Sequence, residues 1–73
     1  MAADKRVAER ELEELLMVMG GHRNDQAAYR DKGDFAGVAR FEQLLNFNYS
    51  RIRKHCARHD LELPHDVPSE EGE

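Results

Sequence analysis

Between Phe35 and His59 an apolar residue recurs every three to four positions, and no proline interrupts the run. With Leu45 as reference and 100° of rotation per residue, Val38, Phe41, Tyr49, Ile52 and Cys56 all fall within about 40° of it. A seam sustained at that spacing is the signature of a helix packed along one face. Asp34 stands where an N-cap belongs, and Gly33 before it suits the end of a preceding element. Residues 35–59 at about 1.5 Å of rise each make a rod of roughly 38 Å. That is long for a chain of 73 residues.

The same rod carries a second stripe. Arg40, Leu44, Phe47, Arg51, Lys54 and Arg58 gather on the side away from Leu45, with Leu44 bridging the two faces. An aromatic residue among four cations is not an ordinary solvated face. Phe47 reads as a contact with a neighbouring helix, as a stacking platform in a nucleic-acid-binding surface, or as a single exposed aromatic that needs no explanation. The first reading is preferred.

Length and composition set the limits. One domain is the ceiling for 73 residues. With 40% hydrophobic and 36% charged residues the chain suits a soluble helical protein. The longest apolar run, Leu15 to Met19, is far short of the ~20 residues of a membrane span. No signal peptide is evident, and a lone Cys56 permits no internal disulfide, so a cytoplasmic protein with no membrane association is expected. Below roughly 70–80 residues a single core seldom supplies more than about 3–5 kcal/mol without a staple. Self-association is the expected remedy.

A first helix is expected over residues 3–19, with Ala8, Leu12, Leu15, Leu16 and Met19 on one face and Val7 and Val18 on a flank with Glu11. Gly20-Gly21 then costs about 2 kcal/mol relative to alanine in a helix interior, which predicts a kink or break, with Asn24 or Asp25 capping a restart. Counted through the glycines, residues 4–32 nearly match 35–59 in length. The match predicts an antiparallel hairpin turning at Lys32-Gly33-Asp34, with glycine and alanine on the first arm allowing close approach. The segment Ala28 to Leu45 is similar to half of a tetratricopeptide repeat in its Gly-Asp turn. Val38 stands where that repeat carries alanine and there is no second copy, so no family is inferred.

Residues 1–59 therefore read as a single helical domain. Residues 60–73 read as an extended, acidic, proline-containing tail, largely disordered, with Leu61 and Leu63 folding back onto the helix end. Charge is segregated: residues 35–59 carry five cations against one carboxylate, and residues 60–73 carry six carboxylates and no Lys or Arg. The tail either lies along Arg51, Lys54 and Arg58 or serves solubility.

His55, Cys56 and His59 are the cluster most like a metal site, with His65 or His22 as further ligands. CxxC and HExxH are both absent, cations flank the cluster and Cys56 lies on the apolar seam, so no metal and no cofactor are expected. Nothing resembles a nucleophile with its base or a phosphate loop, and no enzyme is expected. The sequence thus predicts an all-α helical hairpin, pairing into a dimeric four-helix arrangement, that acts as a non-catalytic protein–protein interaction or regulatory module. Its interface residues are Leu44, Phe47, Arg40, Arg51, Lys54 and Arg58, and its partners are a second copy and another protein. The alternative is a nucleic-acid-binding accessory protein using Arg40, Arg51, Lys54 and Arg58; a pI near 5.5 counts against it.

Overall fold

The structure, a computed structural model, describes residues 2–69, and side chains from residue 5. Helix α1 spans Ala2–Asp31 and helix α2 spans Phe35–His59. They pack against each other as an antiparallel all-α hairpin with no strand among the described residues. Thirty residues of α1 make a rod of about 45 Å, which accounts for most of the 48 Å long dimension.

The turn is built as its residues dictate. Gly33 takes φ +75°, a left-handed conformation that costs glycine nothing. Its N–H donates to Arg30 O (3.0 Å) and the Asp34 N–H to Tyr29 O (2.9 Å), the paired bonds of a Schellman motif. Asp34 then caps α2, its Oδ1 accepting from Gly37 N at 3.1 Å. One residue ends a helix and the next starts another, so the two arms are held side by side. Cross-helix partners are disposed about this turn in order: Gln26 Nε2 donates to Val38 O (3.1 Å), Asn48 Nδ2 to Leu15 O (3.2 Å), and His55 Nε2 lies 2.7 Å from Ala8 O.

Of the kink or break expected at Gly20-Gly21, the break does not form: helix α1 runs through both glycines. Side chains on both sides of the glycines are tied to α2. Met19 is in the core, His22 packs on Phe41 with ring centroids 5.8 Å apart, and Arg23 bonds Tyr49. Tertiary contacts of this kind override a propensity cost of about 2 kcal/mol. The close-approach role expected of these glycines is also absent: a Cβ at either would meet nothing within 4 Å. Gly37 is the glycine that packs closely, since a Cβ there would lie 2.5 Å from Tyr29 Cδ1.

The seam of α2 is the core. Leu45, Ile52 and Cys56 are buried with Met19 and Val67, and Leu12, Leu15, Leu16, Tyr49, Leu61 and Leu63 pack around them. Val38 and Phe41 continue the seam toward the turn, half-buried, with Phe41 stacked on Tyr29 at 5.5 Å. Asn48 is buried at 4% exposure, its amide bonded to the Leu15 carbonyl as described.

Beyond Asp60, which closes α2 in a left-handed conformation with Leu61 N donating to Cys56 O, the chain folds back over one side of the helix pair. Leu61 and Leu63 pack on the core as expected. Val67, assigned from sequence to an uncored tail, is only 3% exposed and part of that core. Arg23 anchors this segment, donating to the Tyr49 hydroxyl (3.0 Å), to the Asp66 carbonyl and to Asp66 Oδ2 (3.3 Å). Arg53 donates to Pro68 O (3.0 Å). The Tyr49 hydrogen bond, aided by the Asp66 charge against a lesser opposing effect of burial, raises the Arg23 pKa above its ordinary value. Of residues 60–73, read from sequence as largely disordered, residues 70–73 lie outside the described residues.

Candidate interaction surface

A pair of helices has two broad sides, and this chain covers one of them. The segment after Asp60 sits on the side of Arg23, Tyr49 and Arg53. The described residues leave the opposite side open. There α1 presents Glu11, Glu14 and Val18, and α2 presents Arg51 and His55, around a groove of about 440 Å³ floored by Leu15. Helical phase extends this side on both arms: Val7 lies about 20° from Val18 on α1, and Leu44 and Phe47 lie within about 40° of Arg51 on α2. Val7, Val18, Leu44 and Phe47 are all exposed large apolar residues, and they converge on one side of the hairpin.

Phe47 is 66% exposed and Leu44 40%. Neither is covered by α1. The Arg51 guanidinium sits over the Phe47 ring, 5.9 Å from its centroid, a cation–π contact at an exposed site. Arg40 and Leu44 also line a second open groove, of about 760 Å³, beside the turn with Tyr29, Asp34 and Phe41. Arg51, Lys54 and Arg58 line the continuation of the first groove toward the end of α2. The stripe read from the sequence is thus one continuous exposed surface along α2. Two further exposed apolar residues, Met17 and Phe35, lie off it.

The acidic tail does not screen this stripe within the described residues. Asp66 pairs with Arg23 on the covered side; Glu70, Glu71 and Glu73, half of the tail's carboxylates, lie outside the described residues. Among the described residues no carboxylate forms an ion pair with Arg40, Arg51, Lys54 or Arg58.

The cluster at the end of α2 is rearranged relative to its sequence reading. Cys56 faces the core, its Sγ 4.0 Å from Glu62 O, and burial pushes its thiol pKa up, which disfavours the thiolate a metal would need. His22 is engaged with Phe41, and His65 lies exposed in the returning segment. His55 and His59 stay together, with ring centroids 4.6 Å apart, and Glu11 joins them from α1. Sequence reasoning missed Glu11 because it belongs to the other arm. The signal that finds it is symmetry about the turn: Glu11 and His55 are equidistant in sequence from Gly33.

Among the described residues no helix is long and apolar enough to cross a membrane. Comparison with protein-family models, with curated proteins and with solved structures finds no match to this chain.

Proposed function

We propose that the chain is a non-catalytic protein–protein interaction module whose open side binds a second copy, giving a dimeric four-helix arrangement, and that the same surface serves a further protein partner. The observation that carries this reading is the exposure of Leu44 and Phe47 on the broad side that residues 60–69 leave uncovered. Apolar residues gathered on one face, with Val7 and Val18 beside them, form the type of patch that marks an interaction site.

Charge favours a second copy as occupant. The open side is acidic along α1 at Glu14 and basic along α2 at Arg51, Lys54 and Arg58. A two-fold axis parallel to the helices lays α1 of one copy over α2 of the other and sets the acidic edge against the basic one. Apolar burial at Phe47 and Leu44 supplies the affinity, and the charged edges fix the register. Sedimentation equilibrium at micromolar concentration tests this: wild type runs as a dimer and Phe47→Glu as a monomer of unchanged helicity. A wild-type chain that stays monomeric removes the second copy as occupant.

A nucleic-acid-binding accessory role is the second reading. It is favoured by the absence of described ion pairs at Arg40, Arg51, Lys54 and Arg58 and by the exposed ring of Phe47 among them. Binding of generic duplex DNA at low salt, lost steeply as salt rises and lost in an Arg51→Glu, Lys54→Glu variant, selects this reading over the first.

A further inference from the structure

The geometry points to a divalent transition-metal site formed by Glu11, His55 and His59, with zinc as its ion. One ligating atom from each residue lies within 4.8 Å of those of the other two. His55 and His59 stand one helical turn apart on α2, and the Glu11 carboxylate reaches the His55 ring from α1. A tetrahedral ion with nitrogen and oxygen ligands at about 2.0–2.2 Å holds those atoms roughly 3.3–3.6 Å apart. Closing the set therefore takes side-chain movement on the order of 1 Å, and Glu11 is exposed and free to make it.

His55 is already positioned. Its side chain is 13% exposed and its Nε2 lies 2.7 Å from the Ala8 carbonyl. A carbonyl only accepts, so Nε2 carries a hydrogen, and the neutral ring keeps a lone pair on its other nitrogen. Nδ1 is then the His55 ligand atom, and a ring nitrogen donating to a backbone carbonyl is what orients metal-bound histidines. Two imidazoles and one carboxylate suit zinc and its neighbours in the transition series. Calcium and magnesium require several oxygen ligands, which this corner does not offer. Three protein ligands leave a fourth position for water.

The site joins α1 to α2 at the end of the hairpin remote from Gly33, where no covalent link holds the arms. An ion there acts as the staple that a chain with a single cysteine otherwise lacks. This inference does not depend on the hairpin pairing with a second copy.

The test is a calorimetric titration of chelator-treated full-length protein with zinc chloride, followed by cobalt in place of zinc. One equivalent binds per chain, and the cobalt form shows the intense visible absorption of a tetrahedral complex. Glu11→Gln and His59→Gln each weaken binding tenfold or more and abolish that absorption, whereas His65→Gln changes neither. Both ligand substitutions leave the helical circular dichroism intact, since neither residue is in the core. At zinc a hundredfold above its Kd the melting temperature rises by roughly 10–20 °C. Absence of saturable binding at one equivalent overturns the assignment, as does binding that survives either Glu11→Gln or His59→Gln.

Discussion

The same substitution, glycine to alanine, has opposite consequences at two places in this fold. At Gly20 and Gly21 a Cβ meets nothing within 4 Å, and α1 is helical on both sides. Each change then gains the full helix-propensity difference, about 0.8–1 kcal/mol. Together they give roughly 1.5–2 kcal/mol, and at about 4–8 °C per kcal/mol for a domain this small the melting temperature rises by about 10 °C. At Gly37 the Cβ would lie 2.5 Å from Tyr29 Cδ1 and 2.7 Å from its Cγ. Cγ is tied to the backbone through a single carbon, so the ring cannot swing clear without leaving its stack on Phe41. The strain and lost stacking, about 1–3 kcal/mol, exceed the propensity gain. Gly37→Ala therefore destabilises by up to about 2 kcal/mol. Thermal and urea unfolding followed by far-ultraviolet circular dichroism read all three variants. Destabilisation by Gly20→Ala or Gly21→Ala would refute the reasoning, because it would mean that the glycines serve a bend or a contact after all.

Three further outcomes follow from the packing. Asn48→Asp places a carboxylate against the Leu15 carbonyl at a buried position; it should cost about 2 kcal/mol or more near neutral pH and less in acid, where the group is protonated, as urea titrations at two pH values will read. Val67→Ala should cost about 1–2 kcal/mol if residues 61–68 dock as described, and nothing if they do not. Burial raises the Cys56 pKa, so the folded state keeps its thiol proton after the unfolded chain loses it. The resulting stabilisation is complete below the unfolded value of about 8.5 and is lost as pH rises through the higher folded one; Cys56→Ala removes this slope from the pH–stability curve.

Much of the hairpin was legible because it rests on local chemistry. The period of Val38 to Cys56, the cap at Asp34 and the left-handed Gly33 are readable residue by residue, and the structure forms each where the sequence places it. The stripe through Leu44 and Phe47 was legible for the same reason, being a consequence of helical phase alone. What escaped depends on contacts between distant residues. Gly20-Gly21 stays helical because Met19, His22 and Arg23 are held from outside the helix. Val67 looks like part of a polar, proline-rich tail until Arg23 fixes Asp66 beside it. Asn48 is buried because its amide finds a carbonyl on the other arm. Glu11 meets His55 and His59 only once the register of the two helices is known.

Small-angle X-ray scattering over a concentration series addresses the shared surface most directly. A lone hairpin has a radius of gyration near 14.0 Å. At tens of micromolar the forward scattering of wild type should correspond to twice the 8.4 kDa chain mass, with a radius above the single-chain value, and Phe47→Glu should return both to those of one chain. Scattering from wild type that matches one chain at every concentration would contradict the claim that a second copy covers the open side.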